Sequence, residues 1–413
     1  MATLARSTGF IPSTPAEVNP AWCTAAMQEA GVIGSAANAP KVTAVALEQL
    51  GGGTGMSGDT VRLRFTWDDG AVDPAMGALP ATAIAKFAAP LPVIKGLLES
   101  LDAYAREIAF YQTLSASMPL RVPRFLGGAA DPGRSAKANS RINKVVNGLP
   151  AKAQVAMSVD ATKLLRPSKR RYALMIEDLG DALTVHDVVE PPEPEHLQLT
   201  LGELAKLHAA FWGRRELLDH GATARLVCPT PKLYESVYDG RVREQMLEVW
   251  SSWLTPEFVA IADDARRRFG ADIDRINTPL TFLHGDPRSD NILFDDAHTS
   301  ATFVDWALTG FGHPAYDVAY HLSASLDVHN MGHFVPLAQN YLRELTGAGI
   351  ALDPSDFWET VRATMRSMLM QQIQAIPHPL SSYGDKNLED YWAPRLFHAL
   401  TETASMVGSP IAH

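Results

Sequence analysis

The stretch FLHGDPRSDNILF at 282–294, followed by FVDW at 303–306, decides how this chain is read. Its flanks are apolar and β-prone: LTFL at 280–283, ILF at 292–294 and TFV at 302–304. Between the first two lies HGDPRSDN, too rich in turn formers to continue a strand. The pattern predicts strand, loop, strand, an Asp-Asp turn at 295–296 and a third strand. Such a layout gathers Asp286, Asn291 and, at the next strand end, Asp305 between buried segments.

Those residue types suit one chemistry. Phosphoryl transfer needs a carboxylate to orient an acceptor hydroxyl and oxygen ligands to hold magnesium against the phosphates. Asp286 and Asn291 are five residues apart, the separation of Asp and Asn in a kinase catalytic loop. Asp305 follows 14 residues after Asn291. Asp286 as base, with Asn291 and Asp305 as magnesium ligands, makes a chemically complete set. Arg288 either neutralises charge on the transferred group or forms a salt bridge within the loop, for instance to Asp290. His284 is expected to pack and to hydrogen-bond the loop backbone. Asp290 should cap the loop, and Asp317, opening a helix in GHPAYDVAYHL, should buttress it.

Working outward, VTAVALEQL at 42–50 reads as a strand and is followed by a glycine cluster at 51–58. Residues 53–58, GTGMSG, fit G-x-G-x-x-G, but a dinucleotide site needs that loop to open a helix. The loop instead opens TVRLRFTW at 60–67, where Val61, Leu63, Phe65 and Trp67 alternate with polar residues as in a strand. No Gly-Lys-Ser/Thr comes after it, so a Walker-A loop is excluded. A strand, glycine loop, strand hairpin remains. It either lays Gly53, Gly55 and Ser57 over nucleotide phosphates or is a plain flexible hairpin. Lys86, inside the strand ATAIAKF at 81–87, needs a counter-charge if buried, and Glu107 could supply it. An edge-strand lysine reaching water is the other reading. A helix is predicted over 99–116, with Leu101, Tyr104, Ile108, Tyr111 and Leu114 on one side.

The 413 residues carry 36 Lys+Arg against 46 Asp+Glu, a net charge of −10. That balance argues against a general nucleic-acid binder, which needs a basic surface. No apolar run is long enough to span a membrane, and the first residues lack the apolar core of a secretory signal. Two cysteines, Cys23 and Cys228, cannot form a disulfide framework, so a reducing, cytoplasmic setting is expected. The charge is uneven. Residues 131–171 hold ten Lys/Arg and two acids, either a solvated insertion or a basic surface for an anionic ligand. Beyond residue 180 the pattern is helical: 196–212, 233–253, 256–269, 314–325 and 357–370. In the last, Phe357, Val361, Met365 and Met368 recur at helical spacing and read as core.

HGDxxxxN at 284–291, DW at 305–306 and MIEDL at 175–179 together resemble the aminoglycoside phosphotransferase superfamily, within the protein-kinase-like fold. LAKLHAAFWG at 204–213 is similar to the ecdysteroid-kinase-like and choline-kinase-like branches. The resemblance spans residues 42–325. It implies an α+β, bilobal fold: a small β-rich N-lobe over 1–178, which includes the basic insertion, and a larger helical C-lobe over 179–413. ATP would lie in the cleft, with adenine against the backbone at Glu177 and Leu179. Asp286 would be the base, Asn291 and Asp305 would hold Mg2+, and Lys86 with Glu107 would steady the phosphates. With no A-P-E activation segment, a hydroxyl on a small molecule is the expected acceptor. A protein-side-chain kinase and a nucleotide-binding module without turnover are the alternatives. The acceptor could be a lipophilic alcohol, a choline-like alcohol, a hydroxyacyl thioester or an aminoglycoside. The apolar residues Phe357, Trp358, Met365 and Met368 favour a less charged one, bordered by segments 357–383 and 391–397. Oligomeric state stays open.

Overall fold

The computed structural model describes residues 9–50, 58–68, 70, 77–132, 144–159, 168–218, 220–223, 230–376, 382–383 and 386–407. The alternating segments of the N-terminal half become one antiparallel sheet. Its strands are β1 (Val42–Gln49), β2 (Gly58–Trp67), β3 (Thr82–Ala88), β4 (Phe125–Ala130) and β5 (Tyr172–Glu177), in the order β1-β2-β3-β5-β4.

Register sorts the side chains of this sheet onto two faces, because successive residues of a strand point opposite ways. Val61, Leu63, Ala83, Ala85, Phe87, Ala173 and Met175 are buried on the outer face. They pack against Trp22, Cys23, Ala26 and Met27 of helix α1 (Pro20–Glu29). That helix has no counterpart in the sequence reading. Its signal was local: Pro20 stands at the first helical position, and the Asn19 side chain accepts from the Trp22 amide at 3.0 Å. On the inner face Thr60 lies opposite Lys86, Arg62 opposite Ile84, and Lys86 opposite Leu174.

The helix predicted over 99–116 is two helices, α2 (Pro92–Ser100) and α3 (Ala103–Thr113). Asp102 between them takes a left-handed backbone, φ +54°, which ends one helix and starts the next on a new axis. Leu101 is consequently exposed rather than on the apolar face. Within 131–171, residues 133–143 and 160–167 lie outside the described part. Helix α4 (Ala151–Val159) from this stretch meets α6 (Pro231–Val237), where Ser236 Oγ donates to Gln154 Oε1 at 2.7 Å. At its base Arg171 pairs with Asp131 at 2.9 Å, and Arg170 donates to the Asp131 carbonyl.

The remainder is mainly helical: α5 (Pro194–Ala210), α6, α7 (Arg243–Val249), α8 (Pro256–Ile276), α9 (Ala315–Ser325), α10 (Phe334–Gly347), α11 (Pro354–Ala375) and α12 (Leu388–Glu402). The helix expected over 233–253 forms as one helical run that ends at Val249 and widens into a π-type turn at Tyr238–Val242, around Gly240. A Cβ on Gly240 would lie 2.9 Å from Val155. Short strands β6 (Thr184–Val185), β7 (Thr281–Leu283), β8 (Ile292–Phe294), β9 (Ala301–Phe303) and β10 (Gly310–Gly312) pair as β6-β8-β9 and β10-β7. The strand, loop, strand, turn, strand reading of 280–306 is therefore what forms. Phe357, Val361, Met365 and Met368 are fully buried core residues, with Trp358 nearly so. They cannot border an acceptor, which removes the argument that they favour a less charged one. The whole is an α+β kinase-like fold, with an N-terminal sheet lobe set on a larger helical lobe. Among the described residues no helix is long and apolar enough to cross a membrane.

Candidate active site

The loop between β7 and β8 is held by residues distant in sequence. Gly285 has φ +86°, and a Cβ there would stand 2.0 Å from the Leu308 carbonyl oxygen, so only glycine fits. Asp317, fully buried in the first turn of α9, accepts from the His284 amide at 2.8 Å and the Gly285 amide at 3.0 Å. The same carboxylate accepts from His208 Nε2 at 3.2 Å, so His208 Nδ1 accepts from the Tyr341 hydroxyl at 2.7 Å. Asp317 thus buttresses the loop, as its place at a helix start suggested.

His284 behaves as a structural group. Its Nε2 donates to the Val304 carbonyl at 3.1 Å and its Nδ1 accepts from the Asp286 amide at 3.3 Å. That pairing needs a neutral ring, and burial holds the imidazole below its usual range. His321 secures the loop's middle: Nδ1 donates to the Pro287 carbonyl at 2.7 Å, while Nε2 meets the Thr200 hydroxyl. Burial lowers its pKa to about 4. The Asn291 amide nitrogen donates to the Asp286 carbonyl at 2.9 Å, which turns the side-chain oxygen of Asn291 the other way.

Asp286 is 8% exposed, and Arg288 Nε lies 3.1 Å from its Oδ1. Arg288 also pairs with Asp290 at 3.3 Å. The loop salt bridge posed as one role of Arg288 is therefore present. Burial pushes the Asp290 carboxyl above its ordinary range, and nearby Arg288 opposes that. Tyr320, from α9, was not singled out in the sequence. Burial, then the adjacent Asp286 charge, hold its phenol well above the usual value.

Lys86 projects from the inner face of β3 and meets Glu107 Oε1 of α3 at 2.6 Å. Asp305 Oδ1 stands 3.7 Å from the same ammonium. Burial disfavours the Lys86 charge, but Asp305 and Glu107 outweigh it and hold the ammonium firmly protonated. Asp305 has φ +59°, a left-handed bend straight after strand β9. Trp306, next in sequence, stacks on Phe110 of α3 with ring centroids 4.2 Å apart. This stack fixes the helix carrying Glu107 against the segment carrying Asp305. The backbone amide of Val304 donates to the Asn291 carbonyl at 3.0 Å, stitching that segment to the loop.

Lys86, Glu107 and Asp305 thus form one cluster, and Asp286, Arg288 and Asn291 sit on the adjoining loop. Glu177 and Leu179 lie apart, where β5 ends. The Glu177 carboxylate is taken up by Arg121 at 2.7 Å and the Arg124 amide at 2.9 Å. A residue missed in the sequence reaches this turn. Arg62, 6% exposed on the inner face of β2, pairs with Asp178 at 2.7 Å and Asp181 at 2.6 Å. Its alternation with core residues was visible, but not that the second face looks into the protein. Gly53, Gly55 and Ser57 lie outside the described residues.

A family model described as the phosphotransferase enzyme family matches residues 94–348. The match begins after Lys86 and ends before α11. Solved structures similar to this chain include choline kinase from Cryptosporidium parvum Iowa II, 9% identical, covering 87% of this chain and 88% of that one, TM-score 0.45. Ethanolamine kinase of Plasmodium vivax is 12% identical, covering 88% and 83%, TM-score 0.42. A macrolide 2′-phosphotransferase from Brachybacterium faecium is 14% identical, covering 89% and 92%, TM-score 0.39. No curated protein sequence matches. With more than half of its 413 residues matched by that model, the chain belongs to the phosphotransferase enzyme family.

Proposed function

We propose that this phosphotransferase is an ATP- and Mg2+-dependent kinase that moves the γ-phosphoryl group onto a hydroxyl of a small organic molecule. The observation that carries the reading is the meeting of Lys86, Glu107 and Asp305, from a strand, a helix and a strand end, beside the loop of Asp286. A charged lysine buried between two carboxylates suits binding of phosphate oxygens, with Glu107 aiming it.

The donor set fits magnesium. The Asn291 amide nitrogen is committed to backbone, leaving a carbonyl oxygen, and Asp305 offers a carboxylate. A hard cation with phosphate ligands asks for such oxygens. When bound, the ion and nucleotide would supply charge neutralisation and the phosphoryl group. Asp286 accepts the proton of the acceptor hydroxyl, and Arg288, 3.1 Å from one of its oxygens, sets its orientation. Neutralising the transferred group is a second role for Arg288, reached by releasing Asp290. The turn at Glu177 and Leu179 offers backbone to the adenine, and Gly53, Gly55 and Ser57 belong to the loop over the phosphates. The setting is cytoplasmic. It is supported by the cysteine usage: two cysteines in 413 residues build no disulfide framework. Cys228 lies outside the described residues.

Thermal unfolding with and without millimolar ATP and Mg2+ tests the nucleotide site. Stabilisation is expected, and it should vanish in Asp305→Ala; no shift in the unmodified protein overturns the reading. Asp286→Ala should keep the nucleotide shift while ADP release stops in a screen of steroid alcohols, choline, hydroxyacyl thioesters and aminoglycosides. Retained turnover would remove Asp286 as the base.

A further inference from the structure

Away from the catalytic loop, three histidines from separate parts of the chain meet. His186 follows β6, His196 lies in the first turn of α5, and His298 sits at the tip of the β8–β9 hairpin with φ +51°. One ring nitrogen of each lies within 4.8 Å of the other two. The His196 and His298 rings are 3.9 Å apart, and His186 is 6.2 and 6.0 Å from them. Phe294 floors the group, its ring 5.5–5.9 Å from all three.

The nitrogens themselves point to a ligand. His186 Nε2, His196 Nδ1 and His298 Nε2 are each buried and without a hydrogen-bond partner. One buried unpaired ring nitrogen costs stability. Three in one place stand out among the described residues, where the buried histidines His208, His284, His313 and His321 have both nitrogens bonded. We propose that His186, His196 and His298 form a binding site for a divalent transition-metal cation of the Zn2+ type.

Three neutral imidazoles with solvent in a fourth position match the tetrahedral preference of Zn2+. Mg2+, which wants oxygen ligands in octahedral array, has nothing here to hold it. The three side chains are half-buried, so the cluster lies near the surface. The His196 and His298 rings are stacked face to face, their planes 16° apart, so binding requires one ring to turn and breaks the stack.

The position gives the site a consequence. The hairpin with His298 at its tip has Asn291 before one strand and Asp305 after the other. A metal at the tip pins the hairpin to α5 and to the segment after β6. It would add to the β6–β8 pairing a further link between α5 and the hairpin that bears the candidate phosphate-site ligands.

The test uses full-length protein stripped with a chelator, then titrated with Zn2+ by calorimetry and with Co2+ by visible absorption. One equivalent of Zn2+ and the intense bands of tetrahedral Co2+ are expected. His196→Ala and His298→Ala should each weaken binding by about 100-fold or more, since even partners outside the ligand set are worth about 10–100-fold. Asp305→Ala should leave the affinity unchanged. His298→Gln, at a half-exposed turn, provides a variant that keeps the fold, verified by circular dichroism. Absence of both signals overturns the proposal. So does binding that survives in His196→Ala and His298→Ala, or that disappears in Asp305→Ala.

Discussion

Replacing Asp317 isolates what holds the loop at 284–291 in place. Its carboxylate is fully buried and accepts three hydrogen bonds, from the His284 amide at 2.8 Å, the Gly285 amide at 3.0 Å and His208 Nε2 at 3.2 Å. In Asp317→Ala all three donors lose their partner. A buried donor left unpaired costs about 1–3 kcal/mol. Water admitted to the vacated volume recovers part, so a loss of about 3–5 kcal/mol is expected. That is a large share of a typical total of about 5–15 kcal/mol. Asp317→Asn keeps the shape and one acceptor oxygen, but turns an NH2 group toward one of the donors. It should lose about 2–3 kcal/mol, one bond plus its charge assistance. Urea unfolding reads this as a lowered midpoint at unchanged slope. Turnover should fall in both variants, because His284 and Gly285 set where Asp286 stands. An Asp317→Ala protein within about 1 kcal/mol of the unmodified chain would show that other contacts place the loop, and would refute the reasoning.

Three further outcomes are expected. Gly285→Ala forces a Cβ against the Leu308 carbonyl at 2.0 Å in a left-handed backbone, so the loop must shift; ADP release should drop by about 100-fold or more, in keeping with a misplacement of about 1 Å, and near-normal turnover would contradict it. Lys86→Met strands Glu107, itself 5% exposed, and should cost about 3–5 kcal/mol in urea unfolding, as for a broken buried pair; Lys86→Met with Glu107→Gln should recover part of that, and equal losses in both proteins would show that the pair is not coupled. Stability should fall as pH drops below 6.5, because His321 has a folded pKa lowered to about 4 and the unfolded chain takes up the proton first. One such group gives about 2 kcal/mol between pH 6.5 and pH 5. His321→Gln should flatten that part of the profile, and an unchanged profile would clear His321 as its source.

The parts of the site legible in the sequence were those built from neighbours. Asp286, Asn291 and Asp305 fall within 20 residues of one another, and each is fixed by a strand end or a turn that local pattern announces. Lys86 in an apolar strand left two readings open, and the pair with Glu107, at 2.6 Å, is the one that forms. Arg288 left two roles open, and packing supplied the salt bridges to Asp286 and Asp290. Asp102 ended a helix that periodicity continued, since a left-handed residue leaves no mark on an apolar repeat. Phe357, Met365 and Met368 show the limit in the other direction. Their spacing read as core and core they are, while which helices cover that face, and so that none of it borders an acceptor, is a fact about the rest of the chain.

Sequence by itself determined the alternating strands, the polar loop at 284–291, the spacing of its oxygen donors and the division into a sheet-rich half and a helical half. These rest on short-range rules, the period of two, turn chemistry and motif spacing, which need no knowledge of the rest of the chain. Tertiary structure alone decided that α1 covers the outer face of the sheet and that Arg62 turns inward to Asp178. It also seated Trp306 on Phe110 and brought His186, His196 and His298 together. Each of those joins residues far apart in sequence. Their meeting depends on how whole elements bury their apolar faces against one another, and no local pattern records that.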